Sequence, residues 1–283
     1  MSSAPLRLAT RQSPLAMAQA ELAAAWLGEK LGLETVLLPM TTTGDERLQW
    51  SLEAKGGKGL FTSELENALL NGEADLAVHS CKDLPTDNPA GLALGGFLPR
   101  EDARDVLVHR VPVERLKLVA TGSPRRREQL RLRFPHLQFT EIRGNVGTRM
   151  RKILEGQADA TMLAMAGLKR LSVEAPEGLT FEPMSVTDSV PAAGQGAIAL
   201  QCRVADVERF AGVLCAETAR AVTLERRILA GLGGGCHSAT AAHYSDGWLR
   251  VFHAPVGTME VALQPDDEDA IQAVLRELHR REA

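Results

Sequence analysis

The chain has 283 residues, 45% of them hydrophobic, and a net charge of −4. That supplies apolar material for one large core or two to three modest ones, and the acidic balance argues against nucleic acid as a partner. No apolar run approaches the roughly 20 residues of a membrane span, and the start, MSSAPLRLATRQSP, lacks a secretory apolar segment, so a cytoplasmic protein without membrane partners is expected.

Strand-like runs alternate with amphipathic helices over most of the chain, which predicts α/β units and a largely parallel sheet. PLRLATR reads as a first strand. Ser13 and Pro14 supply an N-cap and a first-turn proline for a helix through LAMAQAELAAAWLGEKL, which Gly32 can end. ETVLLPM is a second strand, Ser63 and Glu66 form a capping box for SELENALL, and DLAVHS follows as a buried strand. DVLVHR, KLVAT, LQFTEIR and DATMLA are strand candidates of a second lobe, interleaved with helices starting near Pro124 and Asn145. SVPAAGQGAIALQCRV returns to an apolar strand and can cross back to the first lobe. From about residue 215, a helix, a glycine loop, short strands and a terminal helix read as a small α+β domain.

Four cysteines, Cys81, Cys202, Cys215 and Cys236, show no metal-type pairing, so free thiols and no metal are expected. Cys81, Cys202 and Cys215 sit in apolar surroundings and read as packing residues. Cys236 differs, because GLGGGCHSAT places it on a bare glycine loop. There it is either a tolerated residue or a thiol with a job as a nucleophile toward carbon.

Charge is unevenly placed. Residues 117–152 hold ten Lys or Arg against two acids, Glu128 and Glu141. In TGSPRRREQL, Ser123 can cap a helix beginning at Pro124, followed by Arg125, Arg126 and Arg127. Cations at a helix N-terminus oppose its dipole unless an anion is bound there; the other reading is a solvated basic face. IRGNVGTRMRK puts Arg143 and Arg149 around Gly144 and Gly147 where a strand ends, the place open α/β sheets use for ligands. Arg11 and Lys82 can answer from the first lobe. HSCKDLP ends a buried strand with Lys82 and Asp83, either an ordinary turn or a carboxylate placed to stabilise positive charge and pass a proton. GGKGLF, with Lys58 and Phe61, lacks the P-loop spacing and reads equally as a lid or an anion cradle.

These motifs, in this order, resemble the porphobilinogen deaminase (hydroxymethylbilane synthase) family of tetrapyrrole and heme biosynthesis. The likeness runs almost end to end through ATRQSPLA, TTTGD, GGKGLFTSELENALL, DLAVHSCKDLP, RRREQL, IRGNVGTR, AGLKRL, AAGQGAIALQCR and GGGCH. It implies an α/β fold of two lobes like a type II periplasmic binding protein plus a small C-terminal α+β domain. The implied division is residues 1–99 with 195–214, residues 100–194, and residues 215–283. It further implies a monomer that joins four molecules of the small-molecule substrate porphobilinogen head to tail with loss of ammonia, and releases hydroxymethylbilane by hydrolysis. A dipyrromethane cofactor would be bound by a thioether to Cys236.

By the same resemblance, Asp83 stabilises positive pyrrole and azafulvene-like species and assists proton movement. Lys82, Thr121, Ser123, Arg125 and Arg126 hold cofactor carboxylates, with Gln195 beside the cleft. Arg11, Ser13, Arg143, Arg149 and Arg170 hold the substrate or growing chain, and Lys58 and Phe61 belong to the active-site loop. Each pyrrole carries an acetate and a propionate, which explains the demand for forked cations. The chain departs from the family at ATGSPRR, where GTSSLRR is common, and at Gly233, where a glutamate is usual. Apart from the resemblance, a non-catalytic two-lobed polyanion receptor remains open.

Overall fold

The run LRLATR is buried at Leu6, Leu8, Ala9 and Thr10, and a computed structural model covering residues 4–46, 62–112, 115–233 and 239–282 places it inside a sheet, between two neighbours. Strand β1 (Leu6–Arg11) pairs in parallel with β2 (Thr35–Met40) and β3 (Leu76–Ser80). Helix α1 (Pro14–Leu31) starts where the sequence requires: Ser13 Oγ accepts the Ala16 N–H at 3.3 Å, and Gly32 ends the helix at φ 65°. α2 (Thr43–Glu46) and α3 (Ser63–Leu70) follow.

The capping box expected at α3 is not formed. Thr62 occupies the N-cap without a side-chain cap hydrogen bond, and Ser63 is already helical. Glu66 is buried and accepts a hydrogen bond from Gln201 Nε2 at 3.4 Å, so tertiary burial has claimed the side chain that local capping would use.

After β4 (Leu92–Phe97) the chain crosses to a second sheet and builds β5 (Asp105–Arg110), β6 (Leu118–Ala120), α4 (Pro124–Arg133), β7 (Gln138–Thr140), α5 (Val146–Leu154), β8 (Ala160–Ala164), α6 (Met165–Arg170) and β9 (Leu179–Pro183). It then returns as β10 (Ile198–Arg203). The two five-stranded sheets have orders β2-β1-β3-β10-β4 and β7-β6-β8-β5-β9, which are one pattern used twice.

In each sheet the fourth strand enters from the other lobe and runs antiparallel to both neighbours. Half the pairings are therefore antiparallel, which corrects the expected largely parallel sheet. An incoming strand that arrives from the other lobe has no right-handed crossover helix to turn it parallel. This is the two-lobed α/β arrangement the motifs imply.

Both faces of each sheet are covered. Leu6, Leu8, Leu76 and Leu200 pack with α1 residues Ala20, Ala23 and Leu27, while Ala9 and Ala77 pack with Leu65 and Leu69 of α3. In the second sheet Val106 and Val108 face one way and Leu107 the other, which is why DVLVHR is apolar without alternation. A short helix α7 (Val207–Phe210) precedes α8 (Ala216–Gly231). A meander of β11 (Thr240–Ser245), β12 (Trp248–His253) and β13 (Gly257–Ala262) then packs on α8 and α9 (Glu268–Glu282), through Leu224, Ile228, Leu249, Val251, Ile271 and Leu278. Among the described residues no helix is long and apolar enough to cross a membrane.

Candidate active site

Several of the described residues singled out in the sequence lie where parallel strands end. Arg11 closes β1; Lys82 and Asp83 form a 3-10 turn, Cys81–Asp83, directly after the neighbouring β3. Thr121 and Ser123 follow β6, Arg143 follows β7, and Arg170 ends α6 after β8.

Ser123 caps α4, accepting the Arg126 N–H at 3.4 Å, while Thr121 Oγ1 accepts the Ser123 N–H at 3.2 Å. Both hydroxyls keep a proton to donate. Pro124 sits at the first helical position, and a Cβ on Gly122 would meet nothing closer than the Ile142 carbonyl oxygen at 3.9 Å. The ATGSPRR departure is thus a well-formed helix start. Gly233 adopts φ 61°, a conformation favouring glycine over the usual glutamate.

The anion that α4 demands is inside the protein. Asp105, fully buried at the start of β5, accepts hydrogen bonds from Arg125 Nη1 (2.8 Å), Arg126 Nε (3.1 Å) and Nη2 (2.7 Å), Ser189 Oγ (3.0 Å) and Gln195 Nε2 (2.9 Å). Burial opposes its charge, but the two guanidinium groups and these donors hold its carboxyl far below the usual range. Arg125 also donates to the Val190 carbonyl at 2.7 Å and Arg126 to the Met162 carbonyl at 2.9 Å. Both forks are thus engaged internally.

Gln195, on the returning segment, joins the lobes: it donates to Asp105 and to the Ala103 carbonyl at 2.6 Å, and accepts from Lys82 Nζ at 3.4 Å. Burial and the nearby Arg126 push the Lys82 ammonium down to about 8, against the opposing pull of Asp83 and Asp105. Arg149 donates to the Gly144 carbonyl at 2.8 Å. Burial, Arg126 and Arg143 lower it to about 10, with Asp83 opposing.

Lys82, Arg125, Arg126, Arg143 and Arg149 therefore share one electrostatic neighbourhood with two carboxylates, Asp83 and Asp105. Arg170 lies at the edge, donating to the Gly196 carbonyl at 2.6 Å, and burial lowers it to about 10. Arg11 is half-buried and, after burial itself, helps hold the His79 imidazole down at about 4; Ser13 serves α1 as its cap. Lys58, Phe61 and Cys236 lie outside the described residues. Cys81 and Cys202 are free and buried, and Cys215 is free and half-buried.

A second buried acid escaped the sequence reading. Glu225 of α8 pairs with Arg100 Nη1 at 2.6 Å and accepts the N–H groups of Gly194 and Tyr244, each at 2.8 Å. Burial raises the carboxyl, but Arg100 and His243 outweigh it and bring it to about 2. Asp105 and Glu225 each stand in helix or strand runs with no local sign of their partners, which are 18 or more residues away in every case. The signal available was an acid at an otherwise apolar position.

The family model described as porphobilinogen deaminase, dipyromethane cofactor binding domain, matches residues 6–210. The chain belongs to the porphobilinogen deaminase family. A porphobilinogen deaminase of Syntrophotalea carbinolica is 46% identical over 256 residues, covering 86% of this chain and 79% of the relative. Solved structures with a similar course include the periplasmic VFT2 domain of Bordetella pertussis BvgS, at 18% identity and TM-score 0.42 over 72% of this chain and 83% of that one. The BenM effector binding domain with benzoate is another, at 13% identity and TM-score 0.46, covering 81% and 93%. Porphobilinogen deaminase chemistry on a dipyrromethane cofactor is therefore the activity of this chain, and a receptor without chemistry is not favoured.

Proposed function

We propose that the chain is a hydroxymethylbilane synthase, a transferase that condenses four porphobilinogen molecules with loss of ammonia and releases the linear product with water. The observation that carries the residue roles is the excess of cation around Asp83: five basic side chains share their surroundings with two carboxylates, and Asp105 is already committed. Crowded, partly desolvated cations are unfavourable unless anions arrive, and acetate and propionate groups answer that need. The residues present therefore fit dipyrromethane.

Lys82, with the Thr121 and Ser123 hydroxyls, would hold cofactor carboxylates. Arg125 and Arg126 would set the positive potential behind them while Asp105 fixes their forks. When bound, dipyrromethane supplies the pyrrole terminus to which the first substrate is joined. Asp83, exposed at its turn and coupled to Lys82 and Arg149, would hold positive charge and a proton at the substrate pyrrole nitrogen. Arg11, Ser13, Arg143, Arg149 and Arg170 would receive substrate carboxylates, and Gln195 would hold Lys82 in place.

Cys236 as the thioether tether, and Lys58 and Phe61 as loop residues, rest on the family motifs. So do the three-part division at residues 1–99 with 195–214, 100–194 and 215–283, the monomeric state and the cytoplasmic location.

Intact mass spectrometry tests this reading. Protein made with substrate available should carry two pyrrole units and give an aldehyde colour reaction, and both should vanish in Cys236→Ala. An unmodified wild-type protein would overturn it.

A further inference from the structure

The three-residue turn that carries Asp83 is held at both ends, and the two holds come from different parts of the molecule. At its entrance the Cys81 N–H donates to the Ala197 carbonyl at 3.1 Å, and the Cys81 thiol packs so closely on Gly194 that a Cβ there would lie 2.5 Å from its sulfur. At its exit the chain runs through Pro85 and Thr86, where no strand follows until Leu92. Arg226 of α8 takes over there: its Nη2 donates to the Pro85 carbonyl at 2.6 Å and the Thr86 carbonyl at 3.1 Å. Its neighbour Glu225 holds the Gly194 N–H on the other side of the same turn at 2.8 Å.

We infer that Arg226 is a positioning residue for the reaction: its guanidinium, gripping the carbonyls of Pro85 and Thr86, holds the Cys81–Asp83 turn so that the Asp83 carboxylate meets the pyrrole nitrogen. A short 3-10 turn has poor hydrogen-bond geometry of its own and needs outside support. Charge-assisted bonds to two successive carbonyls provide it, and neither bond is in a sheet ladder that would persist without the arginine. The demand is strict, since a displacement of about 1 Å at a reacting group costs about a hundredfold in rate.

This inference rests on the proposed role of Asp83, and a double-mutant cycle on holoenzyme separates the two. Arg226→Gln, matched to wild type for cofactor content by the aldehyde colour reaction, should lose about ten- to a hundredfold in kcat with KM nearly unchanged. Arg226→Lys, which can still reach one carbonyl, should recover part of the loss. In an Asp83→Asn background, Arg226→Gln should cost little more, because there is no carboxylate left to misplace. Near-normal kcat in Arg226→Gln beside a crippled Asp83→Asn would overturn the inference alone, as would full additivity of the two losses. Near-normal kcat in Asp83→Asn itself would sink the assignment of Asp83. If Arg226→Gln fails to fold, the Arg226→Lys kcat and its non-additivity with Asp83→Asn decide by the same outcomes.

Discussion

Two carboxylates in this protein sit in opposite environments. Asp83 is exposed beside cations, while Asp105 is buried under two arginines, a serine and a glutamine. Asp83→Asn should leave fold and cofactor largely intact while lowering turnover by orders of magnitude, since a neutral amide does not offset a cationic transition state. Steady-state kinetics on cofactor-loaded protein reads this, and near-normal turnover would refute it. Asp105→Asn should instead reduce stability by about 3–5 kcal/mol, because it leaves Arg125 and Arg126 buried without their counter-charge. Urea unfolding of the variant beside wild type measures the difference; a loss under about 1 kcal/mol would show that the guanidinium groups find other partners.

At the scale of elements, α4 shows how a helix tolerates the wrong charges at its start. Its dipole disfavours Arg125 and Arg126, yet both side chains turn inward to Asp105 and the helix keeps a serine cap and a proline first residue. Ser123→Ala should cost about 1 kcal/mol through the lost cap. Ser123→Asn, which can accept the same backbone N–H, should restore most of it in thermal melts; equal destabilisation by both would mean the hydroxyl acts elsewhere. The crossing segment is equally constrained. Gly196 sits at φ 87° where a Cβ would strike the Glu101 carbonyl, so the return to the first lobe is made by a residue with no side chain to spare.

For the whole molecule, the buried acids tie stability to pH. Glu225 links α8, the two crossing segments and the β-meander, and its folded carboxyl titrates at about 2. A carboxyl lowered by folding stabilises the native state fully above its unfolded value, roughly 4.3, and loses that contribution as pH falls toward 2. Asp105 acts in the same direction. Acid unfolding should therefore steepen between about pH 4.3 and 2, and Glu225→Gln, less stable at neutral pH, should show a flatter profile there. Lys82 adds a slope of the same sign at the alkaline side. Its folded value of about 8 lies below that of a free lysine, so the unfolded chain holds the proton more tightly and stability from this group rises from pH 8 upward. Lys82→Met should remove that rise in cofactor-free protein, as denaturant midpoints at pH 7.5 and 9.5 would register.

The alternation of strands and helices, the start of α1 at Ser13, DVLVHR as a strand and the family itself were legible in the sequence, because each depends on local periodicity, on a cap a few residues away, or on short motifs in series. β4 and β9 were not legible, since LALGGF and LTFEP carry too little apolar alternation to stand out from loop. The candidate site was half legible. Its cations announced themselves by charge density, but the partner of Arg125 and Arg126 is a strand residue some 20 positions earlier, and the grip of Arg226 on Pro85 and Thr86 spans more than 100 positions. Sequence thus determined which chemistry the chain carries. Only the tertiary structure decided which of its charges pair with each other, because that choice is made by burial and by contacts whose sequence separation leaves no local trace.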